Sequence, residues 1–509
     1  MDNRSKNGVR NVISSILNKI IEVIFPFVTR TVIVYTIGNE YLGLSNLFTS
    51  VLMILNLSEL GFGSALVYSM YKPVAEQDVS KICSLLELYR KIYYSIGISI
   101  LAIGTLLSFG LPYLIKGGWP SDINIYVLFF IYLLNTSISY FAFAHKKALL
   151  MAYQRNDIIS NINSIVISIT YTLQIGILLL THNYYLYVIV FIVSTLADNL
   201  VANAITNKKY PKLVCKGVVD AEMKQSIIKH VKGIAIQKVA STARGSLSSI
   251  AISIYMGLTA ITIYGNYYYI MTAIHTFLYQ IPSSIRSTVG NSVASESEEK
   301  NYRDFCSLTL LYAWITGICA CCLLNLYQPF MYLWMGQELM LPFVSVFLFC
   351  VYFLMLQLGD IINLYKDATG LWWEGRYRVS VEAISNAILC FLLGKIWGIN
   401  GILLAPIITL ALLDISYGGF IVFKYYFVNE NFYKMLKTIV FYLIMILLSL
   451  LLSNCVCTLY NGSVVCNIIF RILVSLTLPN IVYFILLFKT DNYKTAKIFA
   501  IGIISTFKK

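Results

Sequence analysis

A chain of 509 residues would be two or three soluble domains by length alone, but this one is 58% hydrophobic and only 12% charged, with a mean hydropathy of +0.74. Apolar stretches of 20 or more residues recur from end to end, each long enough to span ~30 Å of hydrocarbon as a helix, and they do not alternate as barrel strands would. The net charge of +14 needs no nucleic acid to explain it once its distribution is mapped.

In chain order the spans are expected at 11–37, 42–69, 88–112, 123–146, 158–180, 184–206, 233–257, 260–286, 305–327, 340–364, 377–395, 399–423, 437–457 and 464–488. The fold class is therefore an all-α polytopic membrane protein of about fourteen helices. The first span follows a basic segment but lacks a small-residue cleavage site, so it reads as a retained helix. With the N-terminus cytoplasmic, 31 of the 38 Lys and Arg fall on the cytoplasmic side and only Lys116 and Lys395 on the other. The positive-inside bias thus places both termini in the cytoplasm and anionic headgroups against the inner loops.

Five cations lie more than four residues from the ends of their spans: Lys19, Arg30, Lys238, Arg244 and Arg471. A charge at the centre of a membrane helix costs roughly 2.5–3.5 kcal/mol on insertion scales unless it faces protein or water. Lys19 and Lys238 each precede a glycine, Gly38 and Gly257, by 19 residues. Asn18-Lys19 matches Gln237-Lys238, and Asp198 and Asp414 each precede a lysine, Lys208 and Lys424, by 10. The matches occur in the same order and imply an internal repeat. The expected organisation is an N-lobe at 1–206, a basic linker at 207–232 with seven lysines, a C-lobe at 233–436, and a terminal helix pair with its tail at 437–509. Six spans per lobe give a pseudo-twofold axis along the membrane normal.

On the first span Lys19 and Arg30 are eleven residues apart, which sets them ~20° apart in azimuth and ~16 Å apart along the axis. Pro26 lies near the same line, where it would kink the helix. Glu22 is placed to neutralise Lys19 as an i,i+3 pair. Two readings follow: local pairing and snorkelling, or the wall of an anion-binding cavity. On the seventh span Lys238 and Arg244 do not share a face of a straight helix. The intramembrane acids Glu22, Glu59, Asp198, Asp360, Glu382 and Asp414 are candidates for coupling to an ion gradient or for charge pairing. The eleven cysteines and four histidines show no metal-ligand pattern. Cys455, Cys457 and Cys466 flank the last outer loop, where sequence leaves pairing open. No cofactor motif occurs, and outer loops this short give no room for an enzyme active site.

The run Ser58-Glu59-Leu60-Gly61-Phe62-Gly63-Ser64-Ala65, continuing to Tyr71-Lys72-Pro73, resembles bacterial polysaccharide transporters of the Wzx type. These are flippases in the same superfamily as the lipid II flippases and MATE exporters. Lys209-Tyr210-Pro211, Tyr264-Gly265-Asn266-Tyr267, Val289-Gly290-Asn291, Ala368-Thr369-Gly370-Leu371, Glu374-Gly375-Arg376-Tyr377-Arg378 and Gly398-Ile399-Asn400-Gly401 extend the resemblance over both lobes. It implies two six-helix lobes around a V-shaped cavity in the bacterial cytoplasmic membrane. The implied cargo is an undecaprenyl-pyrophosphate-linked oligosaccharide, moved from inner to outer leaflet for capsule or O-antigen synthesis. Membrane lipids and polysaccharide polymerase machinery are the implied partners. Lys19, Arg30, Lys238 and Arg244 fit the pyrophosphate and sugar site by position and charge. The competing expectations are a MATE-like cation-coupled multidrug antiporter, which would use the acids, and a membrane glycosyltransferase, which the loops disfavour.

Overall fold

The computed structural model describes residues 2–56, 62–460 and 462–507. Side chains are described throughout these except at 2–13, 15–16, 64, 144, 226, 229–230, 232–241, 243, 464, 500 and 502–507. Glu59 lies outside the described residues, as does the Lys238 side chain.

Every regular element among the described residues is helical. They are α1 (Asp2–Thr36), α2 (Asn39–Leu55), α3 (Phe62–Glu76), α4 (Val79–Ser108), α5 (Ile125–Phe141), α6 (Ala144–Ala152), α7 (Asn156–Thr181), α8 (Tyr184–Lys209) and α9 (Ala221–Met256). There follow α10 (Leu258–Leu278), α11 (Gln280–Ser295), α12 (Glu298–Met335), α13 (Phe343–Ala368), α14 (Arg376–Trp397), α15 (Ile399–Thr409), a π-helical stretch Leu410–Tyr417, α16 (Gly418–Tyr425), α17 (Phe432–Thr458), α18 (Val464–Leu487) and α19 (Asp491–Phe507). Each of the fourteen expected stretches is mostly helical where it is described. Nine helices among the described residues are long and apolar enough to cross a membrane, and α5 with α6, bent by 51°, would make a tenth. The expected span at 260–286 is broken into α10 and α11, and the described parts of the one at 42–69 are the separate helices α2 and α3. The expected spans at 11–37 and 233–257 coincide, but for their last residues, with parts of the longer helices α1 and α9, whose lysines and arginines lower their hydropathy. The chain is a polytopic helical membrane protein.

The two glycines that the repeat matched end their helices in the same way. Gly38 precedes α2 with φ +115° and Gly257 follows α9 with φ +88°, a left-handed region that costs glycine little. At Gly257 an added Cβ would also meet the Lys116 carbonyl oxygen at 2.6 Å. Pro26 lies inside α1, which runs on to Thr36. Asp78 caps α4, and the hydrogen bond it accepts from the Lys81 backbone amide at 3.0 Å holds its carboxyl below the usual range.

Two compact units divide at Thr262 and Ile263, within α10. In the first, α1 lies along α7, α2 packs against both α1 and α9, and α5 rests on α4 and α8. Phe48 meets Phe129 and Tyr132 edge-on at 5.3 and 5.6 Å, and Gly43 brings α2 against the Leu258 backbone with no room for a Cβ. Small residues at such crossings matter because, in lipid, packing replaces the hydrophobic effect as the force between helices. In the second unit α12 is the hub, touching α13, α17, α18 and α19. Two-thirds or more of the most apolar windows of α12 and α13 is buried, against 17% for α7 and α8, so α12 and α13 are interior while α7 and α8 present most of their surface outward. Phe305, Tyr365, Phe423 and Phe427 form an aromatic knot at one end of that core, with centroids 5.2–6.1 Å apart. Arg471 ties α18 to α12 by donating to the Asn325 carbonyl oxygen at 3.1 Å. Cys455, Cys457 and Cys466 carry free thiols.

Candidate functional site

The first charged cluster is built on α1 and α7. Lys19 Nζ and Glu22 Oε2 are 2.6 Å apart, one helical turn along the same face. Glu22 Oε1 accepts from Asn18 Nδ2 at 2.8 Å and from Asn163 Nδ2 of α7 at 3.0 Å. Asn18 Oδ1 accepts in turn from Asn163 Nδ2 and Ser164 Oγ, both at 3.1 Å. The carboxylate is thus held by two amides and a lysine, while the Lys19 side chain remains 46% exposed. An ammonium group on a rigid polar bed, with its donors not all spent, is suited to receive an anion.

Arg30 shares the azimuth of Lys19 but meets a different helix: its Nη2 donates to Asn46 Oδ1 of α2 at 2.9 Å, and Tyr187 of α8 is within electrostatic range. The sequence therefore placed Lys19 and Arg30 on one face, and the structure gives them separate partners. Arg244 is half-buried on α9, and α9 packs on α2 as α1 does. Lys238 lies on the same helix, its side chain not described. All four cations belong to the first compact unit.

Asp198 of α8 is ion-paired to Lys147 of α6, 51 residues earlier. Asp414, matched to Asp198 in the expected repeat, is ion-paired to Arg378 at the start of α14. Around this second pair the second unit assembles a buried network. Asn363 Nδ2 donates to both Asp414 oxygens at 3.1 and 3.2 Å. Lys366 Nζ and Arg378 Nη2 donate to Asn363 Oδ1 at 3.0 and 3.3 Å, and Glu382, also buried, is within electrostatic range of Lys366. Gly359 leaves the space that an Asp414 oxygen occupies, and Gly418 has room for only a tight Cβ at 3.0 Å from Arg378 Nη1.

Arg378 reads in sequence as a loop cation beside Trp372, Trp373 and Arg376, yet it is buried and structural. Its partner is 36 residues away, a distance that no local pattern reveals. The one available hint was the repeat: if Asp198 has a counterpart in Asp414, its cation should have one too.

Asp360 of α13 accepts from Tyr312 of α12 at 3.0 Å and faces His275 Nδ1 of α10 at 3.8 Å. Neither Tyr312 nor His275 was a candidate from sequence. Beside this cluster α10, α12 and α18 enclose an apolar groove of about 300 Å³ lined by Ile270, Ile274, Cys322, Leu326, Phe330 and Ile472. Among the described residues no three His, Cys, Asp or Glu converge in a way that would hold a metal.

No family model matches the chain, and no curated protein matches it. Solved structures do. A lipid II flippase MurJ in an inward closed conformation superposes with a TM-score of 0.65 at 15% identity, covering 94% of this chain and 99% of its own. An inward-facing multidrug resistance MATE family transporter of the MOP superfamily gives 0.61 at 12% identity, covering 80% and 97%. A MOP superfamily transporter from Pyrococcus furiosus, described as having a binding pocket of reverse polarity, gives 0.55 at 14% identity, covering 82% and 96%. The chain has the fold that lipid II flippase MurJ shares with MATE transporters.

Proposed function

We propose that this protein is a flippase that carries an undecaprenyl-pyrophosphate-linked oligosaccharide from the inner to the outer leaflet of a bacterial cytoplasmic membrane, for surface polysaccharide synthesis. The observation that carries the reading is Lys19, an exposed cation seated on Glu22, Asn18 and the α7 residue Asn163 within an apolar chain. A pyrophosphate headgroup cannot cross ~30 Å of hydrocarbon unaided. A fixed cation lowers that barrier, with Arg30, Lys238 and Arg244 adding to the field and the neighbouring amides and hydroxyls suited to sugars. Both termini are cytoplasmic on the distribution of Lys and Arg, so the polymerase machinery would meet the product on the outer side.

Reconstitution into vesicles with a lipid-linked oligosaccharide, scoring exposure of the sugar on the far leaflet, tests this directly. Lys19→Ala with Arg30→Ala should lower the rate at least tenfold with the protein still folded in the membrane. An unchanged rate removes these residues from the site.

A second reading, a MATE-like cation antiporter, draws on Glu22, whose carboxylate belongs to the same exposed cluster. Drug efflux abolished by Glu22→Gln, with no flipping by the wild type, would favour it.

A further inference from the structure

We infer that the turn between α13 and α14, together with Arg376, binds the phosphate of an anionic phospholipid headgroup. The helices it joins, Phe343–Ala368 and Arg376–Trp397, are each long and apolar enough to cross a membrane. Residues 369–375 therefore lie at a membrane–water boundary, the level of the headgroups. The distribution of Lys and Arg puts that boundary on the cytoplasmic side.

The turn exposes aromatic rings and holds one cation among them. Gly370 takes φ +71°, and Trp372 is fixed by donating from Nε1 to Asp367 Oδ1 at 3.2 Å. Trp372, Trp373 and Tyr377 are each more than half exposed, as suits amphipathic rings at an interface. The guanidinium carbon of Arg376 lies over the Trp373 ring at 4.1 Å and over the Tyr377 ring at 4.5 Å from their centres. Its Nη1 donates to the Trp373 carbonyl oxygen at 2.7 Å. These contacts engage the flat face and one nitrogen. The edge formed by Nε and Nη2 has no protein acceptor among the described residues, and that edge is the fork that receives two oxygens of a phosphate.

Charge narrows the ligand further. The other cations around the turn are paired: Arg378 with Asp414, while Arg286 and Lys366 flank Asp367 at 3.2 and 4.0 Å. Arg376 has no carboxylate partner among the described residues, Glu374 of the same turn included. A second cation of this kind lies on α16. Gly375 rests near that helix, where an added Cβ would be 3.9 Å from Ile421 Cδ1. Lys424 is three residues further along the same face, exposed, over the rings of Phe420 and Tyr425 at 5.8 and 5.4 Å, and likewise without a carboxylate partner among the described residues. Cations set among exposed rings suit a ligand that is both anionic and partly apolar. A zwitterionic headgroup brings its own amine to compete with Arg376, and free phosphate offers the rings nothing to cover. An anionic phospholipid meets both requirements. Basic loops attract such lipids to a whole surface; the fork of Arg376 adds a fixed orientation at one point on it.

The test uses the full-length protein in phosphatidylcholine nanodiscs doped with phosphatidylglycerol or phosphatidylcholine brominated on an acyl chain, and follows quenching of tryptophan fluorescence. Trp372→Phe with Trp373→Phe identifies the part of the signal owed to these two of the six tryptophans. That part should be quenched by brominated phosphatidylglycerol at a several-fold lower mole fraction than by brominated phosphatidylcholine. Arg376→Gln should weaken the preference about fivefold, the effect of one basic residue at an anionic surface, and Lys424→Gln should weaken it less. Glu374→Gln removes the acid of the turn without touching the fork, and should strengthen the preference. Equal quenching by the two brominated lipids overturns the proposal, as does a preference that ignores both Arg376→Gln and Glu374→Gln. Loss of the preference in millimolar inorganic phosphate also overturns it, because the ligand is then a soluble anion. Displacement of phosphatidylglycerol by a trace of polyprenyl pyrophosphate overturns it as well, in favour of an entry point for cargo. The measurement needs no transport, so its failure and that of the flippase reading are separate results.

Discussion

Both units set a carboxylate against a cation at membrane depth, yet the Lys19 and Glu22 side chains are 46% and 30% exposed while those of Arg378 and Asp414 are 5% and 9% exposed. The chemistry of the two pairs is nearly the same, and the surroundings give it opposite uses. An exposed ion pair is screened and contributes only about 0.2–1 kcal/mol to stability, so little is gained by keeping Lys19 in the membrane for the fold alone. The buried pair is enclosed by Asn363, Lys366 and two glycines, and removal of either partner strands a charge away from water. On the proposed function the first cluster is the one visited by cargo, while the second holds helices together.

This contrast breaks if stability follows the wrong cluster. Arg378→Ala should be the most damaging single change considered, costing about 3–5 kcal/mol because the buried Asp414 loses its ion-pair partner. Thermal unfolding in detergent should show it, and Asp414→Asn added to Arg378→Ala should restore part of the loss. Lys147→Ala should lie between the extremes, at about 1.5–3 kcal/mol for a charged hydrogen bond in a partly exposed pair. Gly43→Ala should cost about 1–3 kcal/mol, because the added methyl meets the Leu258 backbone and not a pliant side chain. Lys19→Ala should change stability least, by under about 1 kcal/mol, while its transport rate falls by tenfold or more. A large loss of stability in Lys19→Ala with an unaltered rate per folded molecule would reverse the assignment of the two clusters.

The helical stretches were legible in the sequence because hydropathy and membrane thickness set them directly. Gly38 and Gly257, which the expected repeat matched, both take up left-handed backbone at a helix end. Local pairs were legible too: Glu22 lies three residues from Lys19 and neutralises it as helical spacing requires. What was not legible depends on contacts across helices. Lys147 reaches Asp198 over 51 residues, Arg378 reaches Asp414 over 36, and His275 reaches Asp360 over 85. Arg30 shows the limit from the other side. Its azimuth was right, but azimuth does not say which neighbour the side chain meets. The break within the eighth expected span escaped notice because hydropathy averages over a short interruption.

The π-helical stretch Leu410–Tyr417 carries Asp414, with Ser416 Oγ bonding the Ala411 carbonyl five residues back at 2.8 Å. Widening a turn from four residues to five accommodates one residue more than an α-helix would hold, so the chain on either side keeps its path as though a single residue had been inserted and absorbed. Loss of one residue here would restore a continuous α-helix with the faces on either side kept, but would shift residues inside the stretch by ~100° about the axis. Asp414 would then point elsewhere. The ion pair thus depends on a length difference of one residue, which makes a one-codon deletion in this stretch more disruptive than most substitutions around it.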